Sequence, residues 1–225
     1  MSRAPAPTLN LNGYTDLPPG KIAAVVTFLE MKARPRLRRL APEPGRSLQR
    51  ITDPARFKTL FRAIGQDWMW FSRLHLPDDA LQAVIGHRLV ESYALVQDGR
   101  DVGLLELDFR PKGECELSFL GLIPEGVGRG SGRFLMNEAI RRAFRNPIRR
   151  LFVHTCSLDH PDALSFYLRS GFTAYKRSIE VADDPRLKGF LPRDAAPRVP
   201  VIEGVETIRT RRSPARPRSG LAGKV

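Results

Sequence analysis

The stretch Pro124–Arg133 restricts the fold of this chain more than any other, because glycine recurs there at 126, 128, 130 and 132. Before it, Glu114–Ile123 has the composition of a strand. After it, Leu135, Met136, Ala139, Ile140, Ala143 and Phe144 step by one and three, the stripe of one helical face. A strand joined to a helix by a glycine turn commits this region to a sheet with a helix laid upon it. Such a turn leaves main-chain N–H groups unobstructed at a helix start, where the helix adds roughly half a positive charge. It is a cradle for an anion such as pyrophosphate; the plainer alternative is a flexible loop.

Two well-known phosphate loops do not fit. A Walker A loop needs Gly-Lys-Ser/Thr, but Gly132 is followed by Arg133 and Phe134. A dinucleotide fingerprint begun at Gly128 needs glycine where Arg133 stands.

The remaining punctuation extends the pattern. Ile22–Met31 is β-branched and apolar, a strand, and Pro35 with its neighbouring arginines makes a loop. Asp53-Pro54 is an N-cap followed by a first-turn proline; Phe57, Leu60, Phe61, Ile64, Trp68 and Phe71 follow at helical spacing, with a break near Gly65. A second short helix opens at Pro77-Asp78-Asp79 and ends by Gly86. Tyr93–Gln97 and Val102–Phe109 flank Asp98-Gly99, the signature of a type I′ hairpin. Leu151–Cys156 is a strand, His160-Pro161 opens a helix through Arg169 with Gly171 closing it, and Phe172–Val181 is the last strand. The order β-α-α-β-β-β-α-β-α-β predicts an α/β (α+β) fold with a mixed, mostly antiparallel sheet flanked by helices. Residues 1–19 read as a flexible lead, 20–184 as one folded domain, and 185–225 as a Pro/Arg-rich, largely disordered tail.

Charge matters for the partners. Lys and Arg number 37 against 24 Asp and Glu, a net charge of +13, and 42% of the residues are hydrophobic, so wholesale disorder is excluded. The excess gathers at Lys32–Arg39, at Arg141–Arg150, and after Glu206, where no acid follows. The last run serves either solubility or weak, sequence-blind association with nucleic acid. No apolar stretch reaches the ~20 residues a bilayer requires. The first residues lack a secretory core, with an organellar transit peptide as the competing reading because no acid precedes Asp16. Two cysteines, Cys115 and Cys156, fit a reducing compartment, so a cytoplasmic location is expected. Four scattered histidines show no metal-ligand spacing, and no metal is expected.

Leu120-Gly-Leu-Ile-Pro-Glu-Gly-Val-Gly-Arg-Gly-Ser-Gly132 resembles the acyl-coenzyme A-binding motif of the GNAT N-acetyltransferase superfamily. A second signature of that superfamily is similar to His160-Pro-Asp-Ala-Leu-Ser-Phe-Tyr-Leu-Arg-Ser-Gly-Phe172. The resemblance covers roughly residues 20–182. It departs from the pattern at Val127, where the family has Gln or Arg, and at His160, where it has Asn and where a helix-capping variant is expected.

The resemblance implies an acyltransferase of the EC 2.3.1 type. Acetyl-CoA would be the cosubstrate, and an amine, of a small molecule or of a protein, would attack its thioester directly in a ternary complex. The residues implied for the cofactor are Leu122, Val127, Gly128, Arg129, Gly130, Ser131, Gly132 and Arg133, with the main chain around Leu122 as oxyanion donor. Tyr167 matches the family tyrosine that protonates the departing thiolate; the alternative is a tyrosine that only packs on the cofactor. Glu116 holds the position of the base in some members, and period two would put it on one face with Ser118, Leu120 and Leu122. Glu114, Glu106 and Asp108 compete with it, as does a water chain. His154 is either a proton relay or a core histidine, and Cys156 a small core residue. Trp68 and Trp70, beside Asp67, either cradle a cationic amine or form plain core. A catalytically degenerate module that binds acyl-CoA as a sensor, and a nucleic-acid-associated protein acting through its tail, stand as alternatives. The oligomeric state is open, with a homodimer compatible.

Overall fold

The computed structural model describes residues 9–128 and 130–203. Among these, seven strands and four α-helices form one mixed sheet with helices on its faces. The strands are β1 (Lys21–Met31), β2 (Arg46–Arg50), β3 (Val90–Gln97), β4 (Arg100–Asp108), β5 (Glu114–Leu122), β6 (Arg150–Cys156) and β7 (Thr173–Asp183). The helices are α1 (Pro54–Gly65), α2 (Asp78–Ile85), α3 (Ser131–Ala143) and α4 (Ala163–Arg169). The sheet order is β2-β3-β4-β5-β6-β1-β7, antiparallel throughout except for β5 beside β6.

Local chemistry sets the boundaries. The Asp53 carboxylate accepts from the N–H groups of Ala55 (3.2 Å) and Arg56 (3.0 Å), and Pro54 opens α1. Asp98 and Gly99 both take positive φ, 51° and 80°, as a type I′ turn requires. Helix α3 begins at Gly130, whose φ of 74° is left-handed.

One core lies between the sheet and α3, built on Leu105, Leu107, Leu117, Leu135, Met136 and Ile140. A second lies under α1 and α2, on Phe57, Phe61, Leu81, Ile85, Ala94 and Leu104. A third, smaller cluster joins Ile22 and Met69 to Leu191, Ala195 and Ala196.

Three expectations need correction. Arg46–Arg50, which the sequence reading passes over, is an edge strand; its polar RSLQR pairs with β3 and has only one packed side, so it carries little apolar signal. A bulge in β5 breaks the period-two face. Glu106 pairs with Phe119 and Leu107 with Leu117, leaving Ser118 as the extra residue. Leu120 and Leu122 therefore join Cys115 and Leu117 on the α3 side, and Glu116 is on the other. Finally, residues 185–203 contain no helix or strand but are packed rather than free. Arg186 and Asp184 form an ion pair at 2.7 Å, both side chains 2% exposed, and Arg186 also donates to the carbonyls of Ala195 (3.1 Å) and Val199 (2.7 Å). The basic run beyond Glu206 lies outside the described residues.

Candidate active site

Strands β5 and β6 pair only over Glu114–Glu116 with Arg150–Phe152, and then part. The bulge at Ser118 bends β5 away, as an extra residue in one strand does. The gap widens into a cavity of about 520 Å³, floored by Ser118–Leu122 of β5 and Val153–Cys156 of β6. Glycine turn and α4 contribute Val127, Gly132, Phe166 and Tyr167; the segment after α1 contributes Trp68–Ser72; Glu180 and Ala182 come from β7. Gly121 is required at this floor: a Cβ there would lie 2.4 Å from Ile64 Cγ2 and 3.1 Å from the Trp70 ring.

At the glycine turn, Gly128 and Gly130 take φ of 97° and 74°. The Ser131 N–H is spent on the Gly128 carbonyl (3.1 Å), while that of Gly132 has no hydrogen bond among the described residues. Arg133 lies over the Phe166 ring (5.2 Å) and donates to Ser170 Oγ (3.0 Å). Burial and the nearby charges of Arg38 and Arg169 lower its pKa, so several positive charges gather near this helix start. Arg46, from the overlooked strand β2, is a further cation at this helix start: its guanidinium lies 3.4 Å from Ser131 Oγ and over Phe134, and it pairs with Glu43. Arg129 lies outside the described residues.

Tyr167 is 7% exposed and lines the cavity, and its hydroxyl has no hydrogen-bond partner among the described residues. Burial, aided by the charge of Asp159, pushes its pKa upward, so the phenol holds its proton at neutral pH. Glu116 does not line the cavity. It reaches the site through His154, whose Nδ1 is 3.5 Å from the Glu116 carboxylate. His154 does line the cavity and is half-exposed, which removes the core-histidine alternative. The Glu116 hydrogen bond raises its pKa, against the opposing effect of burial.

Asp159 was missed by sequence reasoning because nothing in its local pattern marks it. Its carboxylate accepts from Trp70 Nε1 (3.0 Å), Thr155 Oγ1 (2.7 Å) and the Cys156 N–H (2.8 Å), clamping Trp70 against β6. Cys156 lines the cavity, its thiol pushed up to about 11 chiefly by burial. Trp68 is already occupied: Arg198 lies over its ring at 4.6 Å and His160 packs beside it at 4.8 Å. Arg198 also donates to the carbonyls of Asp67 and Leu158, so the segment after β7 ties the two loops of this wall together. His160 Nδ1 accepts from the Asp162 N–H (3.1 Å) at the start of α4. The competing carboxylates are committed elsewhere. Glu106 is buried against Arg73, Asp108 is bound by Arg110, and Glu114 pairs with Arg149 and Arg150. No helix among the described residues is long and apolar enough to cross a membrane.

Residues 57–172 match the model of the acetyltransferase (GNAT) family. Among solved structures, a protein described as of the GNAT family from Novosphingobium aromaticivorans is 20% identical, with a TM-score of 0.52 over 73% of this chain and 66% of that one. A GCN5-related N-acetyltransferase from Sphaerobacter thermophilus is 12% identical, with a TM-score of 0.56 over 72% and 52%. One from Kribbella flavida is 16% identical, with a TM-score of 0.50 over 76% and 63%. This chain thus spans about half to two thirds of the length of those proteins, and at such identities the likeness concerns the fold. No curated protein sequence matches.

Proposed function

The chain belongs to the GNAT acetyltransferase family, and from that premise we propose that it is an N-acetyltransferase using acetyl-CoA, with direct attack by a primary amine in a ternary complex. The observation that carries this is the coincidence of three features on one cavity: the parted β5 and β6, the glycine turn at a helix start, and the Tyr167 hydroxyl, which has no hydrogen-bond partner among the described residues. The residues present suit the cosubstrate. Left-handed Gly128 and Gly130, the Gly132 N–H, which has no hydrogen bond among the described residues, and the Arg133 guanidinium suit its phosphates. Acetyl-CoA supplies the thioester whose C–S bond breaks as the amine forms the C–N bond.

The chain's own groups divide the remaining work. The main chain around Leu122, on the cavity floor, is the donor we assign to the developing oxyanion. Tyr167, kept neutral by burial, delivers its proton to the departing sulfur. Glu116 acts through His154, which faces the cavity and takes the proton the amine sheds. The wall of Trp68, Trp70 and Phe71 bounds the acceptor, with Trp70 held in place by Asp159. Exposed Val127, 67% accessible and unable to pair with a phosphate through its side chain, favours the second reading of an acyl-CoA-binding module without turnover.

Calorimetric titration of acetyl-CoA into the full chain, with Gly130→Asp as the control, tests the cofactor site, and thiol release over a panel of primary amines tests turnover. Binding that is lost in the variant, together with amine-dependent release, is the expected result. Binding without release from any amine would leave the non-catalytic module, and no binding would overturn both readings.

A further inference from the structure

The connection from β1 to β2 has to cross the sheet. In the order β2-β3-β4-β5-β6-β1-β7 these strands are five places apart, about 24 Å at roughly 4.8 Å per strand, and residues 32–45 span the distance. Its contacts fix the face it takes. Leu37 packs against the core shared with α3, and the Arg38 carbonyl accepts from Asn137 Nδ2 of α3 at 2.8 Å. A Cβ on Gly171 would lie 3.8 Å from Pro35, and one on Gly130 would lie 3.7 Å from Leu40. The segment therefore passes over the α3 and α4 side of the sheet, from the end of α4 to the glycine turn.

This crossing completes a cluster of three arginines. Arg38 comes from the crossing segment, Arg133 from the first turn of α3 and Arg169 from the last turn of α4. Burial first, and then the charges of Arg38 and Arg169, lower the Arg133 pKa, which sets the three groups close together. None of the three is in an ion pair among the described residues. Each guanidinium has five N–H donors; Arg133 spends one on Ser170 Oγ (3.0 Å) and Arg169 one on Ser165 Oγ (2.8 Å). Like charges gathered from three distant parts of the chain repel one another until an anion joins them. A phosphate monoester suits them best, since its oxygens match the guanidinium fork and its charge approaches two.

The identity of that phosphate rests on the acetyl-CoA reading above. Coenzyme A carries two separate phosphate groups, a pyrophosphate and a monoester on the ribose 3′ oxygen. The glycine turn suits the first. Arg133 stands three residues beyond Gly130, about one helical turn, so the cluster lies beside the turn and apart from it. We propose that Arg38, Arg133 and Arg169 together bind the 3′-phosphate of coenzyme A, so that the protein selects CoA over dephospho-CoA.

Calorimetric titration of the full chain with each of the two ligands tests this. The wild type is expected to bind CoA about tenfold or more tighter than dephospho-CoA. Arg38→Gln and Arg169→Gln should each weaken CoA binding by about tenfold and leave dephospho-CoA within about twofold, so that the preference collapses. Exposed Arg100, at the start of β4, supplies the control for lost charge: Arg100→Gln should bind both ligands as the wild type does. Circular dichroism confirms that each variant is folded. Equal affinity of the wild type for the two ligands overturns the inference and leaves the acetyl-CoA reading standing. Variants at 38 and 169 that keep the preference, or that weaken both ligands alike, also overturn it, as does a control that weakens CoA equally. A wild type that binds neither ligand overturns both readings.

Discussion

Arg73 anchors the segment between α1 and α2 to the sheet, and replacing it with Met tests how that wall of the cavity is held. Its guanidinium is 2.7 Å from Glu106, whose side chain is wholly buried, and it lies 5.1 Å from the centre of the Phe119 ring. The second Glu106 oxygen accepts from Ser92 Oγ at 2.9 Å. Arg73→Met keeps the apolar stem over Phe119 but leaves a carboxylate inside the protein with one hydroxyl for company. Removing one partner of a buried pair costs about 3–5 kcal/mol. At about 2–4 °C per kcal/mol for a chain of this size, the melting temperature should fall by roughly 6–20 °C. Thermal unfolding followed by circular dichroism measures it. The double variant Arg73→Met/Glu106→Gln should be more stable than Arg73→Met alone, because the penalty arises from the stranded charge rather than from lost packing. A single variant within about 0.5 kcal/mol of the wild type would refute the reasoning. So would a double variant less stable than the single one.

Tyr167→Phe should lower kcat by about a hundredfold with little change in the KM for acetyl-CoA, since a general acid acts on the leaving group and not on ground-state binding; steady-state thiol release checks this, and an unchanged kcat would leave Tyr167 as packing alone. Glu116→Gln should lower the pH at which the His154 ring titrates, read by NMR, because the carboxylate is the main cause of its raised pKa. The sign for stability follows: the pair's contribution is whole below the unfolded-state histidine pKa and is lost as pH rises through the folded one, and Glu116→Gln should flatten that dependence. An unmoved titration would separate Glu116 from His154.

Much of this architecture is legible in the chain because its signals are local. Asp53-Pro54, Asp98-Gly99 and Gly130 each act through their own backbone or the next three residues, and all sit where their chemistry predicts. What escaped depends on partners distant in sequence. The polar strand β2 exists because β3 offers its edge. The bulge at Ser118 appears only when β5 is set against β4, and it moves Glu116 off the face of Leu122. Asp159 is recognisable only once Trp70 and Thr155 surround it. Prolines after Asp183 correctly signal the lack of helix and strand, yet Arg186 buries its charge against Asp184 and packs the segment down. Composition cannot tell a packed irregular strap from a loose one.

The insertion of β1 between β6 and β7 sets the order in which this protein can assemble. Strand β1 leaves the ribosome well before the strands that flank it: Val26 pairs with Cys156, Lys21 with Asp183, and the bond from the Val25 N–H to Ser157 Oγ closes 132 residues of chain. Until then an alternating strand carrying Ile22, Ala24, Val26 and Leu29 waits without a ladder, while β3, β4 and β5 can join through short connections. Late, long-range closure slows folding and prolongs the exposure of an unpaired edge. Nascent chains arrested before β6 should therefore be the form most in need of a chaperone, and the cavity wall built from Ile22 and Ala24 is completed last.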